Sequence, residues 1–190
     1  MTIWGWPVFG SWLVLLGYWL ISAVAAHKGT RRSWWPEVGF RLAILLAIIF
    51  LLRIPGFGRF FRSIGRQGAL PGVAGGILGA TLCVIGVGSA IWARAYLGRN
   101  WGMPMSVKEN PELVTTGPYA YVRHPIYAGL WLALLGSGLA QSAWWLLPLV
   151  FGSPYFFYSA RIEEKTMLQR FPDGYRAYMK RTKMFIPLVL

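Results

Sequence analysis

"IYAGLWLALLGSGLAQSAWWLLPLVFGSPYFFY", residues 126–158, decides the fold. Two apolar runs, Ile126 to Ala140 and Ala143 to Tyr158, are separated only by Gln141 and Ser142. A break that short turns a helix straight back along its predecessor, so the pair reads as a tight antiparallel helical hairpin. Each run is short for a hydrocarbon core of about 30 Å, which takes roughly 20 helical residues. Tilt or a partial crossing is therefore expected. "GSG" at Gly136 to Gly138 lies inside an apolar helix with no strand before it, which favours close helix packing or the hairpin bend over a nucleotide loop.

The rest of the chain has the same character. Of its 190 residues 56% are hydrophobic and 13% charged, with a mean hydropathy of +0.48, so a bilayer is the expected solvent. A first span is expected from about Trp6 to Ala26, retained rather than cleaved because "MTIWGW" carries no lysine or arginine. "GFRLAILLAIIFLLRIPG" supplies a second, shorter span. The third, from about Gly72 to Leu97, carries Gly75, Gly76, Gly79, Gly86 and Gly88, small residues that let backbones approach closely in lipid. The expected fold is an all-α integral membrane protein of about five transmembrane helices, closed by a short cytoplasmic helical segment. It forms one domain over residues 1–190, with N-terminal spans in 1–70 and the core and its pocket in 71–190.

The net charge of +13 raises nucleic acid as a partner, but the bases sit in loops between apolar spans. Anchoring to anionic membrane lipids is the better reading, with no nucleic acid expected. Cys83 is the only cysteine and lies in an apolar span, so it reads as a small hydrophobe, with neither a disulfide nor a metal site expected. With five spans, fifteen of the nineteen lysines and arginines fall on one side. The positive-inside rule then places the amino terminus outside and the carboxyl terminus in the cytoplasm. Arg53, Arg59, Arg62 and Arg66 fall opposite and fit this topology poorly.

Chemistry gathers at two places on the cytoplasmic side. "TTGPYAYVRHPIYAG", residues 115–129, leads into the hairpin, and Glu163-Glu164 leaves it. The hairpin brings the two together. His124 and Tyr127 stand three residues apart on one helix face, and Pro125 suits a first helical turn. The free N–H groups there favour a carboxylate, whereas Glu163 and Glu164 would accept an ammonium. A ligand with an amino-acid end fits both. From Arg161 to Phe171 the last membrane helix is expected to continue into the cytoplasm, broken by Pro172 and Gly174, and "YRAYMKRTKMF" is suited to the headgroup level. Most of the eleven tryptophans read as interface anchors.

"LVTTGPYAYVRHPIYAGL" followed by "RIEEKTMLQRFPDGYRAYMKRTKMFIP" resembles the integral-membrane methyltransferases typified by isoprenylcysteine carboxyl methyltransferase, with phospholipid N-methyltransferases as more distant relatives. The likeness covers roughly Leu97 to Pro187. It implies S-adenosylmethionine as methyl donor, enclosed by the carboxyl-terminal segment. The implied cofactor contacts are Pro111, Glu112, Leu113, Val114, Tyr119, His124, Pro125, Ile126, Tyr127 and Glu163. Two departures stand out: Pro111 replaces a family histidine, and Ser159 replaces a substrate-binding arginine, with Arg161 displaced by two positions. A carboxylate acceptor would need no base and Arg161 would orient it, while a thiol or amine would draw on Glu163, Glu164 or His124. A lipophilic acceptor is expected to arrive from the membrane. The rival expectations are an NADPH-dependent sterol or enone reductase and a non-catalytic membrane scaffold.

Overall fold

The computed structural model describes residues 3–25, 70, 72–100 and 112–187. Five α-helices occur among them: α1 Gly5–Ala25, α2 Gly72–Leu97, α3 Pro125–Ala140, α4 Leu146–Arg170 and α5 Pro172–Arg181. The described residues contain no strand, only an isolated parallel bridge between Val122 and Lys183. The expected second span and its four arginines lie outside the described residues.

α2 and α3 form the most intimate pair, and glycine makes it so. A Cβ built on Gly86 would sit 2.6 Å from the Gly129 carbonyl oxygen, and one on Gly129 would sit 2.7 Å from the Gly86 carbonyl oxygen. Gly79 stands in the same relation to the Gly136 carbonyl, at 2.6 Å. Two helix backbones are thus in contact along three turns, where dispersion must replace the hydrophobic drive that lipid removes. Gly88, in the same apolar run, faces open space.

α1 packs on this pair through buried Val8 and Leu15. The Trp12 indole N–H donates to the Ser137 hydroxyl at 3.0 Å, and its ring stacks on Trp145 at 5.2 Å. These two tryptophans fasten α1 to the α3–α4 hairpin. The outward faces stay apolar: Leu13, Leu16 and Leu20 of α1 and Ile77, Val84 and Ile85 of α2 are exposed. Such a belt is compatible with lipid and costly in water. Gly5–Ser22 and Gly72–Leu97 are long and apolar enough to cross a membrane, whereas Pro125–Ala140 is apolar but shorter.

The hairpin turn is made by Gln141, Ser142 and a short 3-10 turn, Ala143–Trp145. The Ser142 hydroxyl accepts from the Trp144 backbone N–H at 3.3 Å. α4 then runs unbroken through Pro154 to Arg170, past the apolar stretch, as its helix formers predict. The expected break narrows to Phe171, because Pro172 opens α5 and Gly174 sits within it. α5 is amphipathic: Tyr175 and Tyr178 are buried and Arg176, Lys180 and Arg181 are exposed. Its tyrosines therefore turn onto the protein, and only its basic face is left for headgroups.

Candidate active site

The site grows from the turn before α3. Gly117, at φ 60°, opens the 3-10 turn Gly117–Ala120 in the left-handed region that glycine tolerates. The turn is bolted from both sides. The Tyr119 hydroxyl donates to the Ala93 carbonyl at 3.3 Å, and the Tyr178 hydroxyl donates to the Tyr119 carbonyl at 2.6 Å. Burial pushes the Tyr178 phenol up to about 12, so it remains a donor at neutral pH. Next to the turn, the chain after α5 lies alongside as a strap. The Arg123 N–H donates to the Lys183 carbonyl at 2.8 Å and the His124 N–H to the Met184 carbonyl at 3.0 Å.

Two adjacent glutamates on α4 point apart, because successive helical residues are about 100° from each other. Glu164 is buried and takes the Arg123 Nε–H at 2.6 Å. The same guanidinium donates to the Thr182 carbonyl of the strap. Glu163 keeps a third of its side chain exposed and accepts from the Tyr127 hydroxyl at 2.7 Å. His124 stands between them, with Nδ1 3.6 Å from Glu163 and Nε2 3.4 Å from Glu164. Nε2 is buried and poorly aligned for a hydrogen bond, so the attraction is between charges. Burial alone would lower the imidazole's pKa, but the two carboxylates outweigh it and raise it. Burial likewise opposes ionisation of Glu164, and His124 with Arg123 reverses that, holding its pKa below the usual value.

Of the residues singled out from sequence, His124, Tyr127, Glu163 and Glu164 meet here. Pro125 occupies the first position of α3, and no side chain caps the helix from His124. Ile126 follows it on the first turn of α3. Tyr119 serves as the bolt just described. Glu112 is held to the end of α2: its backbone N–H and its carboxylate pair with the Asn100 amide, both at 3.2 Å. Leu113 reaches the first turn of α5 near Gly174, and Val114 is half-buried beside it. Pro111 lies outside the described residues. Arg161 is exposed, with its guanidinium 4.9 Å above the Phe157 ring.

Sequence reading missed Arg123 as the partner of Glu164 and missed the side chains of the strap. Met184 and Phe185 are buried, and the Phe185 ring lies 5.6 Å from His124 and 4.5 Å from Trp131. Their signal was weak, since "KMF" reads as an ordinary interface segment. On the far side of Phe185 lies an apolar cavity of about 650 Å³, walled by Trp92, Ala128, Leu132, Leu149 and Ser153 among others.

Comparison with known proteins gives this geometry a family. The chain is 30% identical over 114 residues to the nickel-cobalt-cadmium resistance protein NccN of Alcaligenes xylosoxydans xylosoxydans, covering 59% of this chain and 48% of that protein. It is 34% identical over 102 residues to protein-S-isoprenylcysteine O-methyltransferase of Schizosaccharomyces pombe, covering 51% and 43%. It is also 35% identical over 77 residues to methanethiol S-methyltransferase 1 of Bradyrhizobium diazoefficiens, covering 40% and 27%. The matches span less than half the length of each of these relatives. The model of the phospholipid methyltransferase family matches residues 75–174, the stretch holding α2, the α3–α4 hairpin and both glutamates. By that match the chain belongs to the phospholipid methyltransferase family.

Proposed function

We propose that this protein is a membrane-embedded methyltransferase that uses S-adenosylmethionine and methylates a lipophilic acceptor. The observation that carries the reading is the meeting of α3's entrance with the C-terminal half of α4, fastened by Tyr127 to Glu163 at 2.7 Å. It places a half-exposed carboxylate beside an uncapped helix start, which suits a ligand with an ammonium and a carboxylate on one carbon. Among the described residues Glu163 accepts one hydrogen bond, from Tyr127, with His124 Nδ1 3.6 Å from its other oxygen, and it retains lone pairs for an ammonium. In the first turn of α3 Pro125 carries no N–H and the Ala128 N–H bonds the His124 carbonyl, so the Ile126 and Tyr127 N–H groups would take the carboxylate.

The donor supplies a methyl group already activated on a sulfonium, which transfers as the S–CH3 bond electrons pass to sulfur. The protein's task is then to position and to exclude water, worth up to about 7–11 kcal/mol. His124 and Tyr127 stack at 5.7 Å, and Tyr127 and Phe156 stack at 5.0 Å, giving the mouth a flat apolar wall. The two carboxylates raise the His124 pKa and favour its charged form. Glu163, partly exposed at the mouth, is the candidate proton acceptor for a thiol or amine. Arg161, exposed over Phe157, remains the residue that would orient a carboxylate acceptor. The acceptor reaches the site through the apolar cavity, from the lipid phase.

The test is calorimetric titration of the protein in nanodiscs with S-adenosylhomocysteine and, separately, with NADPH. Binding of the first and not the second is expected. Glu163→Ala and His124→Ala should each weaken it at least tenfold while the protein stays inserted. Undiminished affinity in both variants, or preference for NADPH, would overturn the reading.

A further inference from the structure

Phe185 faces two compartments. Its ring is 1% exposed. One side meets His124 at 5.6 Å, at the carboxylate mouth. The other lines the 650 Å³ cavity together with Trp131 and Ile186. Among the described residues the cavity walls include Pro125 but none of His124, Tyr127 or Glu163. The polar mouth and the apolar chamber are therefore neighbours that share a wall, formed among the described residues by Phe185 with Pro125 and Trp131. Trp131 lies 4.5 Å from Phe185, and Phe157 supports the ring from α4 at 6.0 Å.

The ring's position is set by backbone. The parallel bridge between Val122 and Lys183 fixes the strap's register, and the His124 N–H holds the Met184 carbonyl. The Arg123 guanidinium holds the Thr182 carbonyl while it pairs with Glu164. A shift of one residue in that register would exchange Phe185 for Met184 or Ile186 at the wall. The same two residues that neutralise the glutamates thus also aim Phe185.

We infer that Phe185 is the partition between the donor mouth and the acceptor chamber, and that its bulk decides which acceptors can present a nucleophilic atom to the donor. The inference deepens the proposed function and rests on its assignment of the mouth to the donor and the chamber to the acceptor. A slim terminal group, such as a thiol at the end of a chain, passes beside the ring, whereas a branched one is stopped.

A labelling experiment tests the wall without turnover. Cys83 is the only cysteine, so Cys83→Ser with Leu132→Cys places a single thiol in the chamber. In nanodiscs the permanently charged reagent trimethylammonioethyl methanethiosulfonate cannot travel through lipid, so the part of its rate that depends on Phe185 reports the aqueous route past that ring. Adding Phe185→Ala should raise that rate at least tenfold, Phe185→Leu should give an intermediate rise, and the rate with membrane-permeant N-ethylmaleimide should stay level. Equal rates with and without Phe185 would overturn the partition. S-adenosylhomocysteine should suppress the added rate by filling the mouth. A rate that rises yet ignores this ligand keeps the partition and removes the donor assignment. For selectivity, the ratio of kcat/KM for the branched 2-decanethiol over 1-decanethiol should rise at least tenfold in Phe185→Ala, and an unchanged ratio would overturn the specificity role. Absence of turnover with 1-decanethiol in the parent protein would overturn that role too, while the labelling result still decides the wall.

Discussion

Glu163 and Glu164 are adjacent in sequence, yet their surroundings give them different work. Glu164 is buried against Arg123, with side-chain exposures of 6% and 9%, and removing one partner strands a desolvated charge. Glu164→Ala should therefore cost about 3–5 kcal/mol of stability, read by thermal unfolding in detergent. Tyr127→Phe removes one hydrogen bond to a carboxylate, expected to cost about 1.5–3 kcal/mol, with less effect on insertion than on ligand binding. The cluster also predicts a pH profile. His124 has a raised pKa in the fold, so its contribution is complete below its ordinary value of 6.5 and is lost as pH climbs through the raised one. Glu164 has a lowered pKa, so its contribution is present above 4.5 and is lost as pH falls through the lowered one. Thermal stability should thus decline on both the acid and the alkaline side, and His124→Gln should abolish the alkaline decline and weaken the acid one, because His124 helps to hold Glu164 ionised. A profile unchanged in that variant would contradict the assignment. Sequence showed that these residues share a mouth. It did not show that Arg123 would claim Glu164 and leave Glu163 partly exposed, because both glutamates read alike until the α4 face is oriented.

The α2–α3 pair carries the clearest prediction for an element. Gly86→Ala would drive a methyl group into the Gly129 carbonyl and should cost about 1–3 kcal/mol as the helices separate. Gly88→Ala meets nothing within 4 Å and should be neutral or gain up to about 1 kcal/mol from helix propensity. Thermal unfolding of the two variants side by side checks the contrast. Two glycines two residues apart look equivalent in the sequence and differ only by the side of the helix that faces α3. The hairpin, by contrast, was legible from residues 126–158, because two apolar runs joined by so short a link have few ways to pack. The continuation of α4 to Arg170 was legible for the same local reason. The inward turn of Tyr175 and Tyr178 was not, because an amphipathic helix of this composition suits a membrane surface equally well.

At the scale of the molecule, α1 is joined to the α3–α4 hairpin at its elbow, where Trp12 bonds Ser137 and stacks on Trp145. Trp12→Phe keeps the ring and loses the hydrogen bond, so about 1 kcal/mol of stability should go, while Trp12→Ala should cost about 3–5 kcal/mol. Unfolding monitored on both variants would show whether α1 and the hairpin melt together. The amino-acid sequence by itself determined the solvent, the helical class, the hairpin and the two polar clusters, because hydropathy, small-residue content and link length act locally along the chain. Only the tertiary structure decided which glutamate is committed, where Arg161 points and that Phe185 stands between a polar mouth and an apolar chamber. Those outcomes depend on helix rotation and on a strap whose register is set by backbone hydrogen bonds to residues some sixty positions away, and no local pattern encodes them.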